Sequence, residues 1–133
     1  GLIEMLGGPP TPGTGFATGI ERIVLEVEKS EPDLGGAVPD AFTIPLGDAG
    51  PAAAAKLAAA LRAAGLAVRA GAPGRSMKAQ LRAANNSGAR YALIVGDDEA
   101  ARGVAQLKPL LGGGDQREVA LSEVVGAVGA SAD

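Results

Sequence analysis

The sequence contains no cysteine, no histidine and no tryptophan, and each absence removes a class of function. Without cysteine there are no disulfides, thiolate metal sites or cysteine nucleophiles. Without histidine there is no Ser-His-Asp triad and no histidine-ligated zinc. With only two Phe and one Tyr, base stacking on an aromatic platform is nearly excluded. The missing cysteines fit the reducing cytoplasm.

The 133 residues, 47% hydrophobic and 20% charged, are enough for about one domain with a modest core. No apolar run approaches the roughly 20 residues needed to cross a bilayer, so we expect no membrane-spanning segment. No signal peptide is visible at the start. Because the first residue is Gly1 and not Met, we expect a fragment or a processed chain.

Charge is segregated along the sequence. The net charge of −3 argues against a general nucleic-acid binder, but no acidic residue lies between Asp48 and Asp97. That segment holds seven of the twelve basic residues, namely Lys56, Arg62, Arg69, Arg75, Lys78, Arg82 and Arg90. A local positive surface attracts phosphates even on an acidic protein. The alternative interpretation is a set of solvated helix faces.

Composition and periodicity divide the chain into three parts. Residues 1–15 are rich in Gly and Pro and predict a loop, and a helix follows because Ile20, Ile23, Val24 and Val27 have helical spacing. Residues 31–40 are again rich in Pro and Gly. We therefore predict a first segment over 1–30, a linker over 31–40 and a domain over 41–133.

The last part predicts an α/β fold. Strands are predicted over 41–46, 66–70, 91–95, 104–107 and 117–120, and helices over 51–64, 76–84, 97–102 and 122–128. The first three strands alternate with helices, which predicts a parallel arrangement with right-handed crossovers. The predicted fold is a three-layer α/β/α domain with a mixed, mainly parallel sheet of about five strands. Ligands of such sheets bind beyond the carboxyl ends of the strands, here near 47–48, 71–75 and 96–99.

Three motifs are candidates for chemistry. Residues 13–19 loosely resemble a phosphate-binding loop without its Gly-Lys-Ser/Thr end, and Arg22 in the next helical turn either binds a phosphate or pairs with a nearby glutamate. Residues 74–78 begin a helix that either binds an anion or is simply capped by Ser76. The acidic run 97–99 is more typical of a helix start than of a metal site, so no metal is predicted.

The order of these motifs resembles the histidyl-tRNA synthetase family. Residues 6–12 (Leu-Gly-Gly-Pro-Pro-Thr-Pro) and 15–22 (Gly-Phe-Ala-Thr-Gly-Ile-Glu-Arg) resemble motif 3 of the class II aminoacyl-tRNA synthetases. Residues 74–81 (Gly-Arg-Ser-Met-Lys-Ala-Gln-Leu), 87–91 and 95–99 resemble the anticodon-binding domain of that family. The resemblance implies that residues 1–30 are a remnant of the catalytic domain and that 41–133 bind the anticodon.

The resemblance also implies an activity and partners. Family members are cytoplasmic ligases of protein biosynthesis that attach histidine to histidine tRNA using ATP and Mg²⁺, and the parent enzyme would be a homodimer without a DNA partner. By position, Arg22 would contact the ATP phosphates, and Gly15 and Gly19 would let the backbone approach the nucleotide.

The resemblance further assigns the residues that bind tRNA. Glu99 and Lys108 match positions that contact anticodon bases in related class IIa synthetases, and Gln106 is a weaker candidate on the same strand as Lys108. A carboxylate accepts from a base amino or imino group, and a cation reaches base acceptors or phosphate. Arg75 and Lys78 would bind the tRNA backbone through its phosphates.

The departures from the family pattern lead to further expectations. Motifs 1 and 2 and the histidine-binding segments are absent, so we expect this chain alone to hold no catalytic residue, to bind no ATP and to be inactive. One alternative is a non-catalytic paralogue, a regulatory subunit or a tRNA sensor, although the intact motif ending in Arg22 argues against it. An unrelated flavodoxin-like enzyme is disfavoured because no phosphate loop follows the first strand.

Overall fold

A computed structural model describes residues 1–30 and 38–130 of the chain. The described residues fall into two compact units on either side of a boundary between Gly35 and Gly36. Residues 31–37, most of the predicted linker, lie outside the described residues. Within the described part, no helix is long and apolar enough to cross a membrane.

Residues 1–30, the described part of the first unit, contain two helices, α1 over Leu2–Met5 and α2 over Ile20–Ser30. The helical turn of α1 corrects the prediction that residues 1–15 are loop throughout. The predicted apolar stripe of α2 is present, but the side chains of Ile20, Ile23 and Val24 are 69%, 51% and 47% exposed. The described residues of this unit therefore form no buried core of their own.

The second unit is built on a five-stranded sheet in the order β2-β1-β3-β4-β5. The elements in chain order are β1 (Ala41–Pro45), α3 (Gly50–Ala63), β2 (Val68–Ala70), α4 (Met77–Asn86), β3 (Tyr91–Val95), α5 (Asp97–Arg102), β4 (Val104–Pro109), β5 (Arg117–Ala120) and α6 (Val124–Gly129). Strand β1 pairs in parallel with both β2 and β3, whereas β3–β4 and β4–β5 pair antiparallel. The predicted mixed sheet is confirmed.

Helices cover both faces of the sheet, which gives the predicted three layers. On one face, Leu57 and Leu61 of α3 and Val124 and Val128 of α6 pack with buried strand residues such as Leu93, together with Ala100 of α5. On the other face, Leu81 and Ala84 of α4 pack with Phe42, Ile44, Ala92 and Ile94. Because β1 and β3 are buried on both sides, neither alternates between apolar and polar residues: β3 is a continuous apolar run, and β1 is interrupted only by the buried Thr43.

The second face of the sheet is only partly covered. Ala105 and Leu107 of β4 belong to the core under α3 and α6, so Gln106 and Lys108 project from the opposite face, as Glu118 of β5 does. Among the described helices of the second unit, only α4 lies on this side, and it packs against β1. We call the surface formed by Gln106, Lys108 and Glu118 the open sheet face.

Several element ends differ from the prediction by one or two residues, and three of them illustrate the local reasons. Strand β2 starts at Val68, because the Leu66 N–H still bonds to the carbonyl of Leu61 at the end of α3. Helix α4 continues through Asn86, since Gly88, with φ +72°, is the first residue beyond it in the left-handed region. Helix α6 starts at Val124, two residues after the predicted start, and no side-chain cap hydrogen bond closes its first turn.

Candidate nucleic-acid interface

The carboxyl ends of β1, β2 and β3 meet at one edge of the sheet, where the predicted ligand-binding turns lie. The turns at this edge are closely packed: a Cβ on Gly50 would lie 2.4 Å from the Val95 carbonyl oxygen, which requires glycine there. Asp97 joins the turn after β3 to the start of α3, because its Oδ1 accepts a hydrogen bond of 2.7 Å from the Ala49 N–H. This carboxylate is used to build the edge.

Glu99 lies in the first turn of α5, two residues after Asp97, but has a different environment. It is half-buried, and its Oε2 accepts a hydrogen bond of 3.0 Å from the Gly96 N–H, which closes the start of the helix. One carboxylate oxygen remains to accept from another group. Within the acidic run, Asp97 is therefore used to hold the turns together, whereas Glu99 keeps one oxygen for a ligand. The described residues contain no cluster of three or more metal-ligating side chains.

The start of α4 carries a row of cations. Ser76 caps the helix, its Oγ accepting from the Ala79 N–H at 3.4 Å. Arg75, Lys78 and Arg82 are exposed at spacings of three and four residues, and they line one shallow groove. None of the three makes an ion pair within residues 1–30 and 38–130. We call these three residues the basic stripe.

A buried amide fixes the end of this stripe to the sheet. Gln80 is 1% exposed, and its Nε2 donates to the carbonyl of Pro45 at the end of β1 at 2.9 Å and to that of Arg75 at 3.0 Å. Its Oε1 has no hydrogen-bond partner among the described residues. A Cβ on Gly71 would lie 2.3 Å from that oxygen, so the turn after β2 closes directly over the amide. The sequence motif covered Gln80 without indicating this role.

The open sheet face carries a hydrogen-bonded network across three elements. Gln106 Nε2 donates to Glu118 Oε2 at 3.1 Å, and Arg102 of α5 contacts both oxygens of Glu118 at 2.9 and 2.8 Å. The hydrogen bond to Glu118 and its negative charge raise the pKa of the Arg102 guanidinium above its ordinary value. Sequence reasoning missed Arg102 and Glu118, because their contact joins residues distant in the chain.

The predicted tRNA-binding residues occupy three places in the second unit. Arg75 and Lys78 lie together at the start of α4, and Gln106 and Lys108 share the open sheet face. Glu99 lies at the carboxyl edge, on a helix whose Ala100 packs into the core under α3. Lys108 pairs with Ala92, which lies four residues before Gly96. The distance along β3 from the level of Lys108 to the turn that holds Glu99 is therefore about 13 Å.

The predicted nucleotide-binding residues lie in the first unit. The Gly19 carbonyl accepts from the Ile23 N–H at 3.2 Å, so Gly19 directly precedes α2. Arg22 is exposed and lines a shallow groove with Gly19 and Glu26. Apart from its chain neighbours, no atom of residues 1–30 or 38–130 lies within 4 Å of where a Gly15 Cβ would stand, which leaves its backbone open.

The fold and the sequence together define the class of protein. The model of the anticodon-binding domain family matches residues 40–130, and this chain belongs to that family. The relatives with curated names are histidine–tRNA ligases. That of Thiobacillus denitrificans is 48% identical over 122 residues, covering 92% of this chain and 29% of the relative. That of Neisseria meningitidis serogroup A is 44% identical over 124 residues, covering 93% and 29%.

Solved structures lead to the same family. The histidyl-tRNA synthetase from Nostoc sp. PCC 7120 superimposes with a TM-score of 0.66 at 29% identity, covering 86% of this chain and 28% of that one. The RNA-binding domain of threonyl-tRNA synthetase from Cryptosporidium parvum, at 17% identity and a TM-score of 0.64, shares the fold. The resemblance predicted from the sequence is confirmed, and the chain spans about 29% of the length of its first relatives.

Proposed function

We propose that this chain binds the anticodon arm of histidine tRNA and serves as the anticodon-binding part of a histidine–tRNA ligase. The observation that carries the proposal is the basic stripe, which stands unpaired within the described residues beside the open sheet face of an anticodon-binding domain. Exposed cations without internal partners keep their full charge for phosphates. A face of polar side chains beside them offers hydrogen bonds to bases.

Arg75 and Lys78 are the proposed phosphate contacts. Both precede or begin the first turn of α4, where the helix N-terminus adds a favourable field for anions. Arg82, one turn further along the same groove, extends the row and allows contact with a neighbouring phosphate. Such contacts position an RNA without reading its sequence.

Glu99, Gln106 and Lys108 are the proposed base contacts. The Glu99 bond to the Gly96 N–H fixes the carboxylate and leaves an oxygen to accept from a base amino or imino group. Lys108 and Gln106 alternate with buried residues of β4, so the strand holds both toward the same side. The distance along the sheet between Glu99 and Lys108 suits contacts with different nucleotides. With few aromatics, hydrogen bonds and charge dominate over ring stacking.

The first unit would serve the parent enzyme, a cytoplasmic homodimer that uses ATP and Mg²⁺. Arg22, exposed at the start of α2, would bind ATP phosphates, and the open backbone at Gly15 and Gly19 would allow the nucleotide to approach. Because this chain carries motif 3 without motifs 1 and 2, we expect it alone to form no histidyl-adenylate. Arg22→Ala should therefore lower ATP-dependent activation of histidine only in the longer enzyme.

Binding of the whole chain to a histidine tRNA transcript across a salt series tests the proposal. Arg75→Ala and Lys78→Ala should each weaken binding for every anticodon and reduce the slope of log K against log salt by about one. Lys56→Ala is the matched control, since it removes an exposed cation from α3 on the covered face. Equal slopes in all variants would contradict the proposed phosphate contacts.

An anticodon-mutated transcript tests base reading separately. The wild-type chain should prefer the native anticodon, and Glu99→Ala or Lys108→Ala should reduce the preference by about 1–3 kcal/mol for a lost base contact. Asp98→Ala, an exposed carboxylate next to Glu99, is the control for charge alone. A wild-type chain that binds both transcripts equally would overturn anticodon recognition.

A further inference from the structure

We propose that Glu118 is a positioning residue that determines specificity, because it turns the Gln106 amide so that its carbonyl oxygen faces the RNA. The proposal rests on the proposed function, in which Gln106 contacts an anticodon base. It assigns a role to a residue on β5 that contacts no base itself, and it defines which base groups Gln106 can recognise.

The argument begins with the chemistry of the pair. A glutamine amide has one donating and one accepting end, and an unconstrained amide can present either to a ligand. A carboxylate can only accept, so Glu118 holds the Gln106 NH₂ group toward β5, at 3.1 Å between Nε2 and Oε2. The two residues are register partners on adjacent antiparallel strands, which keeps their side chains on one face. The Gln106 carbonyl oxygen is consequently directed away from Glu118.

Arg102 makes the carboxylate a fixed partner. Its guanidinium contacts Glu118 Oε1 at 2.9 Å and Oε2 at 2.8 Å, a two-point contact that restricts rotation of the carboxylate. Arg102 is the last residue of α5, and Glu118 lies near the middle of β5, so the contact joins two elements held by the core. A carboxylate held in this way offers no donor that would let the amide turn round.

The orientation has a consequence for recognition. A Gln106 that presents Oε1 accepts from a base N–H, either an exocyclic amino group or a ring imino group, and gains nothing from a base that offers an acceptor at the same place. Lys108, two residues along the same face, supplies only donors. The open sheet face thus presents an acceptor next to a donor, a pattern that discriminates among bases better than either alone.

Reversing the partner should reverse the amide. In Glu118→Gln the partner can donate or accept, so Gln106 is released, and discrimination at one anticodon position should fall about ten-fold. In Glu118→Lys the partner only donates, so Gln106 should turn its NH₂ group outward and prefer a base acceptor at that position. Glu123→Gln and Glu123→Lys are matched controls, because Glu123 is an exposed carboxylate that lines a shallow groove together with Glu118 and makes no side-chain cap hydrogen bond at the start of α6.

The experiment measures binding of the whole 133-residue chain to histidine tRNA transcripts with each single anticodon substitution. Thermal unfolding followed by circular dichroism verifies that every variant is folded, which is expected for an exposed ion pair. Gln106→Ala and Gln106→Ala/Glu118→Gln complete a double-mutant cycle. If Glu118 acts through Gln106, the double variant discriminates no worse than Gln106→Ala alone.

Each outcome decides the proposal. The proposal is supported if Glu118→Gln lowers discrimination at the same anticodon position as Gln106→Ala does. The Glu123 variants should then show no such loss, and the double variant should discriminate no worse than Gln106→Ala alone. Additive losses would mean that Glu118 contacts the RNA independently, and equal losses in the Glu123 variants would mean a general charge effect; both overturn it. A wild-type chain with no anticodon preference would overturn the proposed function as well.

Discussion

Replacing the buried amide of Gln80 tests how the basic stripe is held to the sheet. Gln80→Leu places an apolar side chain of similar size at the same position but removes the two hydrogen bonds to the Pro45 and Arg75 carbonyls. A buried carbonyl left without a partner costs about 1–3 kcal/mol. Part of that cost is offset, because the unpartnered Oε1 disappears too. We therefore expect a net loss of roughly 1–3 kcal/mol in the free energy of unfolding.

The loss should be visible in two measurements. For a domain of this size it lowers the melting temperature by roughly 5–20 °C and the urea midpoint in proportion, both followed by circular dichroism. The change is also local: the Gly71 N–H, which bonds to the Thr43 carbonyl at 2.7 Å under the amide, should exchange with solvent faster than the N–H groups of β3.

Asn85→Ala is the matched control for this experiment. Asn85 is an exposed amide on the same helix, with one bond to the Leu81 carbonyl, so its removal should change stability by no more than about 0.5 kcal/mol. If Gln80→Leu is as stable as Asn85→Ala, water satisfies the two carbonyls and the amide does not hold the turn before α4. The explanation of how the stripe is positioned would then be wrong.

Three further substitutions test the scaffold by urea unfolding. Asp97→Asn should lower the free energy of unfolding by about 1–3 kcal/mol, because the Ala49 N–H loses a charged acceptor. Asp98→Asn is the exposed control, and equal effects of the two substitutions would show that Asp97 does not hold the start of α3. Ser76→Ala should lower the free energy of unfolding by about 0.5–2 kcal/mol, because the Ala79 N–H loses its cap. The control Ser122→Ala should lower it less, since no side chain caps α6, and the reverse order would contradict the assignment of Ser76 as a cap. Gly50→Ala should be destabilised by about 1–3 kcal/mol as its Cβ meets the Val95 carbonyl, and an unchanged midpoint would refute that close packing.

Local pattern was sufficient for most of the fold. The predicted and observed bounds of β3 agree, because a strand buried on both faces is a continuous apolar run, and here that run lies between Arg90 and Gly96. Ser76 was recognised as a cap from its place before an amphipathic segment. Ser122 has the same residue type in a similar place but caps nothing. Residue type alone therefore does not determine a cap, since the backbone must also present free N–H groups to it.

The site was predictable only where it follows from neighbours in sequence. Arg75 and Lys78 could be placed together because they flank one helix start. Gln80 bonds to a carbonyl 35 residues away, and Glu118 meets Arg102 and Gln106 at separations of 16 and 12 residues. No spacing rule covers such pairs, since the tertiary fold sets them. Helical spacing did offer one signal for Gln80: this polar residue lies four residues before Ala84, on the face of α4 that is buried.

The net charge of −3 gives a poor description of the surface that we propose binds RNA. Several carboxylates bind other groups of the protein: Asp40 binds Arg90 and the Ala67 N–H, Asp97 binds the Ala49 N–H, and Glu118 binds Arg102. The basic stripe, in contrast, lies in a segment without acidic residues and has no ion pair within the described part of the chain. A phosphate approaching the stripe responds to charges within about 10 Å at 0.1 M salt. The proposed affinity for RNA therefore depends on the local arrangement of charge, and a net acidic domain retains a cationic surface.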